Sequence, residues 1–476
     1  MARINTNVGA LIAQRNLNNS YKSLNGTLER LATGLRINHG KDDPAGLIVS
    51  ERLRSETAAV SQAISNTQRA SLIISTTEGA LDEVAALLRD IQGKIVEAAN
   101  EGGFSDEEIR ANQLQIDSAI ASITRIANST TFAGRHLLNG SLDYITSGVS
   151  DTQIAALNIK SAQFGSRDYI PVNVEVTQSA QPAELYYRDG TVPSEVTIEI
   201  QGNAGVTTLS FIAGATAASV VSAINAISDS TGVIAELSAN PTSGFVMKST
   251  GLGSSQFVSV QRLPGGGSFD LTNADNEDVQ RDEGRDATAT INGTRSTGDG
   301  NLLRLKTATL DVDLALASDF GLGQTSFAIT AGGALYQIGA HVTTNLQVNI
   351  GVQSVAASRL GNSSVGYLSQ IVTGSDYSLV SGHFAEASKI VDEAIEQVSV
   401  LRGRLGAFEK NTLDTNIDQL SITMENLMSS ESSIRDADFA YETSQLARNQ
   451  VLANASTAAL SLANQTPQLV LQLLSG

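Results

Sequence analysis

The stretch LDTNIDQLSITMENLMSSESSI, residues 413–434, repeats apolar residues at alternating steps of three and four. This spacing places them at the a and d positions of a helical heptad, interrupted only by Glu431. A helix with one apolar seam needs a partner helix to cover it. The predicted seam consists of Leu413, Ile417, Leu420, Met424, Leu427 and Ile434.

The other end of the chain carries a similar helical pattern. Prolines are nearly absent from residues 1–180 and from residues 350–476, so both segments are predicted to be long helices. NHGKDDPAG at 38–46 interrupts the first segment as a linker. The N-terminal seam consists of Leu24, Leu28, Leu31 and Leu35, and we place Leu469 and Leu473 in the C-terminal arm.

Two more helices follow the linker. One runs from Leu47 to about Asn100, and its apolar stripe continues through Leu81, Val84, Leu88, Ile91 and Ile95. Ser105 and Glu108 form a capping box for the next helix, which reaches about Ser129. Turn residues then predict a β-hairpin region from about 130 to 180.

The middle of the chain has a different architecture. Prolines cluster at 171–264, and Val196, Ile198 and Ile200 alternate with polar residues as in a strand. An alanine-rich helix is predicted at 216–232 with Gly232 as its stop, among further short strands. We therefore predict a multidomain protein with paired α-helical coiled-coil terminal arms and an inserted mostly-β or α+β outer domain.

The domain bounds follow from these patterns. Helical arms comprise 1–43 and 433–476, a helical domain with a β-hairpin comprises 44–182 and 345–432, and the inserted outer domain comprises 183–344. A chain of 476 residues with 41% hydrophobic residues is long enough for about two to four folded domains.

Charge and composition exclude several functions. A net charge of −18 without a basic cluster argues against nucleic-acid binding. Residues 1–43 carry +3 and the last 44 residues carry −1, which mildly favours pairing of the two ends, although scattered charges also fit a solvated helix face. There are no cysteines, no secretory signal in the first twenty residues and no apolar run long enough for membrane insertion. If the protein leaves the cell, it uses another route.

No catalytic group emerges from the sequence. The histidines lie far apart and form no HExxH motif. NADNED at 273–278 has oxygen ligands but lacks the glycine and glutamate of a calcium loop. We predict no enzymatic activity, no metal and no cofactor. The histidines are His39, His136, His341 and His383.

The terminal segments closely resemble bacterial flagellin. The N-terminal matches are INTN (4–7), AQRNL (13–17), LERLATGLRIN (28–38), KDDPAGL (41–47) and SERLR (50–54). The C-terminal matches are LRGRLGAFE (401–409), ENL (425–427), ESSIRDADFAYE (431–442) and NQTPQLVLQLL (464–474). GNAGVTTLSF in the middle resembles the inserted modules of many flagellins.

The resemblance implies a subunit that self-assembles into the helical filament used for swimming, with paired arms inside and the middle projecting outward. It implies many copies of the chain itself as the main partner, together with an export chaperone and the cap and hook-junction proteins. It also implies export to the extracellular filament without a cleaved signal. The alternatives are a hook–filament junction protein and a secreted enzyme on a flagellin scaffold; SSIRDADFAYE and NQTPQLVLQLL favour the filament subunit.

One segment departs from the family pattern. In flagellins that the animal innate receptor senses, the segment matching Leu88, Arg89, Asp90 and Ile91 usually carries an arginine at the position of Asp90 and a glutamate at that of Gly93. The resemblance therefore implies weak or absent receptor recognition, unless Arg89 or other residues compensate.

Overall fold

The computed structural model describes residues 6–100, 102–165, 167–238, 244–264, 266–307, 309–362 and 365–475, with only the backbone for 466–475. The chain divides into two compact units. Unit 1 comprises Met1–Ala70, Gln337–Val342 and Lys410–Gly476. Unit 2 comprises Ser71–Tyr336 and Thr343–Glu409.

Long helices occupy both terminal segments. Asn7 caps the first helix by accepting a hydrogen bond from the Ala10 N–H, and Gly34 ends it in the left-handed conformation at φ 71°. The helices are α1 Val8–Thr33, α2 Pro44–Ala98, α3 Asp106–Ser129, α4 Ala217–Asn225, α5 Ser228–Thr231, α6 Phe384–Phe408, α7 Thr415–Arg435 and α8 Phe439–Ser475, with a π-helix at Glu409–Asp414 and 3-10 turns at Thr344–Leu346, Leu368–Gln370 and Leu379–Ser381.

Strands fill most of the middle. The strands are β1 Thr131–Phe132, β2 Arg135–His136, β3 Tyr144–Ser147, β4 Ile154–Ala162, β5 Ile170–Gln178, β6 Glu184–Tyr187, β7 Val196–Gln201, β8 Val206–Phe211, β9 Val233–Leu237, β10 Phe245–Ser249, β11 Phe257–Arg262, β12 Leu271–Thr272, β13 Arg281–Glu283, β14 Thr288–Ile291, β15 Thr294–Thr297, β16 Leu302–Lys306, β17 Leu310–Leu316, β18 Gly323–Gly332, β19 Ala334–Gln337, β20 Gln347–Ile350, β21 Gly361–Asn362 and β22 Gly366–Tyr367. The predicted fold class, helical ends around a mostly-β middle, is confirmed.

The helices of unit 2 bury the predicted apolar stripe. Leu81, Leu88 and Ile91 on α2 are fully buried, as are Ile116 on α3 and Ile390 on α6. The capping box predicted for α3 is present: the Glu108 carboxylate accepts a hydrogen bond from the Ser105 N–H at 2.8 Å. The backbone and hydroxyl donors of Ser105 lower the pKa of Glu108.

Two β cores follow in unit 2. The first β core lies between a sheet of order β15-β14-β5-β18-β3 and a sheet of order β16-β17-β4. Buried residues alternate strictly with exposed or half-buried residues along β5 and β17, and this two-residue period is the one that a strand requires. The second β core lies among β12-β6-β10-β9, β13-β11-β7-β8 and α4, and draws its buried residues from 183–271.

The structure corrects three expectations. Residues 350–383 form short strands and 3-10 turns, because helix α6 begins only at Phe384. The β-hairpin predicted over 130–180 is limited to β1 and β2, since β4 pairs with β17 and β5 pairs with β14 and β18. The helix predicted at 216–232 is split into α4 and α5, although Gly232 does end it at φ 73°.

The pairing of β4 and β5 also bears on the predicted domain bounds. The first β core draws its residues from both sides of the expected boundary between 182 and 183. The bounds therefore do not coincide with the hydrophobic cores. As layers of an assembly they remain a prediction.

Candidate assembly surface

Helices α1 and α8 pair antiparallel within unit 1. Four polar contacts join them along their length, and each links an early residue of the chain to a late one. The contacts are Asn7 Nδ2 to Ala463 O at 2.7 Å, Ser20 Oγ to Ser456 Oγ at 3.3 Å, Asn449 Nδ2 to Thr27 Oγ1 at 3.0 Å and Arg30 Nε to Glu442 Oε1 at 2.8 Å.

A short backbone clip ties the two segments together where α1 and α7 end. Leu35 and Asp436 form an isolated antiparallel bridge. The Arg36 N–H donates to the Arg435 carbonyl at 2.7 Å, and the Ala437 N–H donates to the Gly34 carbonyl at 2.9 Å. The clip lies where the chain leaves α1 and where it passes from α7 to α8. Helix α8 begins directly after the clip and pairs with α1.

The linker after the clip is built by two adjacent aspartates. Asp42 accepts hydrogen bonds from the backbone N–H groups of His39 and Asn38, and the His39 bond is the main cause that lowers the pKa of Asp42. Asp43 accepts from the Gly46 N–H at 2.8 Å, and Pro44 supplies the first residue of α2. The two carboxylates therefore organise a turn and a helix start.

Polar and ionic contacts also join the first part of α2 to α7. They place α7 antiparallel to α2. Helix α2 is therefore the partner helix that was expected for the seam on α7. The contacts are Arg435 to Glu51 at 3.1 Å, Arg54 to Glu431 at 3.5 Å and Asn416 Nδ2 to Thr67 Oγ1 at 3.2 Å.

Most of the predicted seam residues are partly buried in unit 1. Leu413 is fully buried and lies in the π-helix rather than in α7. Leu28 is the most exposed of the described seam residues, with 46% of its surface accessible to solvent. The side chains of Leu469 and Leu473 lie outside the described residues. The remaining seam residues are half-buried: Leu24, Leu31, Leu35, Ile417, Leu420, Met424, Leu427 and Ile434.

Sequence reasoning identified only part of a second set of apolar residues, since it gave Val8, Leu11 and Leu452 as side chains that no core of the monomer covers. They lie on the helices of unit 1, all except Tyr21 out of phase with the predicted heptad seams, and their side chains are exposed. A signal was present, because large apolar residues out of phase with the seam have no place in a simple two-helix pair. The set comprises Val8, Leu11, Ile12, Tyr21, Ile48, Val49, Ile422, Met428, Phe439, Tyr441, Val451, Leu452 and Leu462.

The segment expected to face an innate receptor has two different sides. Leu88 and Ile91 are fully buried in the helical core of unit 2. Arg89 and Asp90 are exposed on α2. Only these two of the four residues offer side chains to a partner.

The described residues show neither a metal-binding group nor a membrane-spanning helix. Within the described ranges, no group of three or more histidine, cysteine or acidic side chains is placed to hold a metal ion. Over the same part of the chain, none of the helices combines the length and apolarity needed to cross a membrane.

A chain whose terminal helices α1 and α8 pair, carry large apolar side chains in solvent and flank β modules in the sequence has the features of a structural subunit that associates with other copies. Residues 4–143 match the bacterial flagellin N-terminal helical region, residues 388–474 match the C-terminal helical region, and residues 197–251 match the flagellin hook IN motif.

Full-length relatives agree with these matches. B-type flagellin of Pseudomonas aeruginosa is 30% identical, with 99% of each chain covered. Polar flagellin F of Vibrio parahaemolyticus is 28% identical and a flagellin of Salmonella choleraesuis is 29% identical, each with 99% of both chains covered. The chain belongs to the bacterial flagellin family. It is a structural subunit of the flagellar filament, and the junction-protein alternative is not favoured.

Proposed function

We propose that the subunit polymerises through unit 1, by burying the exposed apolar side chains of α1, α2, α7 and α8 against neighbouring copies together with the half-buried seam. The observation that carries this proposal is the exposed apolar set itself, since a soluble monomer gains nothing from so many large apolar side chains in water. A head-to-tail contact that does not close on itself produces an open helical polymer.

The layers of the polymer follow from the same proposal. The arms at 1–43 and 433–476 form the inner layer, 44–182 and 345–432 form the surrounding layer, and 183–344 projects outward. The position of the apolar set supports this order, because the set is concentrated on the helices of unit 1, whereas among the described residues of 183–271 only Val206, Ile212 and Leu237 are exposed large apolar residues.

The proposal extends to the activity, the export and the binding partners of the chain. The chain acts without enzymatic activity and leaves the cell through the flagellar export route, assisted by an export chaperone and joined by cap and hook-junction proteins.

An innate receptor binds it weakly or not at all, because Asp90 presents a negative charge beside Arg89. Replacing Asp90 by arginine is expected to raise receptor signalling in reporter cells; an unchanged signal would contradict this assignment.

The paired arms are expected to be the first part of the free subunit to open. Among the described side chains of α1 and α8, the buried ones are few and mostly small or polar, so local unfolding there costs little free energy. Limited proteolysis of the monomer should cut within 1–43 and 433–476 before it cuts within 50–430. Equal resistance of both regions would contradict the proposal.

Filament growth should accelerate with salt. Copies with a net charge of −18 repel one another, and at 0.1 M salt screening limits that repulsion to about 10 Å. Burial of apolar surface is nearly indifferent to moderate ionic strength. The measurement is light scattering during seeded elongation across an ionic-strength series, and slower growth at higher salt would oppose this view.

The control for the salt series removes one charge that does not belong to the arms. Asp275→Asn, in an exposed loop, should shift the salt requirement only slightly. Asp282 is a poor choice, because its carboxylate accepts a hydrogen bond from the Glu184 N–H at 2.7 Å.

A further inference from the structure

The two sheets of the second β core have four edges among the described strands, and three of these edges are closed. At β9, the Asn225 side chain occupies the outer edge: its Oδ1 accepts from the Ala235 N–H at 2.8 Å, and its Nδ2 donates to the Ala235 carbonyl at 3.0 Å. At β12, the Val279 N–H donates to the Leu271 carbonyl at 3.0 Å, so the following loop covers that edge. Strand β13 is only Arg281–Glu283, and all its residues are charged. Proteins use coverage, shortness and charge to prevent a sheet edge from pairing with another chain.

The fourth edge, strand β8 at Val206–Phe211, has none of these protections. Beyond its pairing with β7, its backbone has no hydrogen-bond partner among the described residues. With six residues it is the longest of the four edge strands. The chain carries no charged residue between Glu199 and Asp229, although its net charge is −18. Strand β8 is therefore an open, neutral edge, at which a second copy meets no like charge.

The side chains of β8 also favour a strand partner. Val206, Thr208 and Ser210 are exposed on one face of the strand, and Ile212, the first residue after it, is exposed as well. Val206 is 55% exposed and Ile212 is 73% exposed. Covering these two large apolar side chains, one at each end of the open edge, removes apolar surface from water and is favourable.

We propose that β8 pairs edge to edge with β8 of a second copy, so that the two four-stranded sheets become one continuous sheet. The partner edge is again β8, because the other edges of the module are closed. An edge that meets itself creates a two-fold contact. A two-fold axis perpendicular to the sheet makes the two strands antiparallel and keeps their exposed faces on the same side.

The side chains select the register of this pair. In a register centred on Leu209, Val206 of one copy lies opposite Ile212 of the other. The same register places Thr208 opposite Ser210. All four exposed apolar side chains are then covered by one another, and polar side chains face polar side chains. Strand addition of this kind takes its affinity from the backbone groups and its specificity from alternate side chains.

The two-fold axis also identifies which copies pair. This step rests on the proposed function, in which 183–344 projects outward and every copy points in the same direction along the filament. Copies within one filament are related by rotation and translation about its axis and not by a two-fold axis. A β8 pair therefore joins copies of two neighbouring filaments. One such pair is a small contact, but two filaments side by side form many pairs at once, so their association is multivalent.

The test uses the absence of cysteine from the natural chain. Filaments are grown separately from Val206→Cys chains and from Ile212→Cys chains, then mixed and oxidised, and the 206–212 disulfide is measured by mass spectrometry. Opposite residues of antiparallel strands have Cα atoms close enough for a disulfide. Because each filament contains one variant, this disulfide forms only between filaments. Glu283→Cys filaments replace the Ile212→Cys filaments in the control, since Glu283 is exposed on the closed edge β13.

A charge on the open edge should block the contact. Thr208→Lys places an ammonium group opposite Glu199 on β7, which favours folding, and brings together the two lysines of a β8 pair. Low-speed sedimentation in screening salt measures the lateral association of filaments. Natural filaments should sediment as bundles, and Thr208→Lys filaments should stay in the supernatant. Ala218→Lys adds the same charge at an exposed position of α4 and should leave the association unchanged.

We expect the 206–212 disulfide in several-fold excess over the 206–283 disulfide. Equal yields of the two disulfides, or equal sedimentation of natural and Thr208→Lys filaments, would overturn the proposal. A 206–212 disulfide found only in filaments grown from mixed chains would overturn it too, because the contact would then lie within one filament.

The same two disulfides are measured in concentrated free chains, in which the edges meet without polymerisation. An excess of the 206–212 disulfide there, from a chain that forms no filaments, would support the β8 pair and count against the proposed function. Equal yields there would overturn the β8 pair, whether or not filaments grow.

Discussion

Replacing Ile422 by aspartate should leave the monomer folded and abolish filament growth. Ile422 lies on α7 and is 61% exposed, so the substitution places a charge in water in the free subunit. If a neighbouring copy covers this position in the filament, the same charge must be desolvated, at a cost of several kcal/mol per contact. The measurements are the melting temperature of the monomer by circular dichroism and seeded growth by light scattering.

The neighbouring position Leu420 provides a contrast, because folding stability and assembly should be impaired together there. Leu420 is half-buried within unit 1, so Leu420→Asp should both lower the melting temperature and abolish filaments. Ser421→Asp adds the same charge at an exposed polar site between the two and serves as the matched control. Normal filaments from Leu420→Asp would show that the heptad seam is not an assembly element, and normal filaments from Ile422→Asp would remove the outer face of α7 from the interface.

Excising residues 182–284 should leave a chain that folds and still polymerises into thinner filaments. The chain enters and leaves the second β core at neighbouring points, because Gln181 and Arg285 exchange backbone hydrogen bonds of 2.8 and 2.9 Å. The buried residues of that core all lie within the excised segment. An Asn-Gly pair can join Gln181 to Arg285, since this dipeptide favours the tight turn that links antiparallel strands.

A wider deletion provides the contrast. Removing 185–340 takes away β14, β17 and β18, which are the partners of β4 and β5. The remaining strands would expose the apolar residues of the first β core, and that chain should aggregate. Negative-stain microscopy distinguishes filaments from aggregates. Failure of the narrow excision to assemble, with its helices intact by circular dichroism, would mean that the second β core takes part in assembly.

Local signals in the sequence predicted local structure well. Ser105 and Glu108 formed the expected capping box, and Gly232 ended its helix in the left-handed conformation. Both depend on residues a few positions apart. The alternation in Val196, Ile198 and Ile200 likewise predicted β7, because the two-residue period is a property of one strand.

Long-range pairing could not be predicted in the same way. The pattern of β4 identifies a strand but contains nothing that selects β17, which lies about 150 residues later in the chain. The absence of proline from 350–383 permitted helix there without requiring it. At the proposed assembly surface, the heptad spacing predicted a seam on α7 whose residues are half-buried, while the exposure of Ile422 and the polar contact of Asn449 with Thr27 depend on which helices meet.

The most direct test of the central claim is negative-stain microscopy after adding filament seeds to the purified natural chain and to a chain reduced to residues 44–432. We expect long filaments from the natural chain, and none from the shortened chain even at high salt, because the shortened chain lacks the apolar residues of α1 and α8. Filaments from the shortened chain, or none from the natural chain, would contradict assembly through the paired arms.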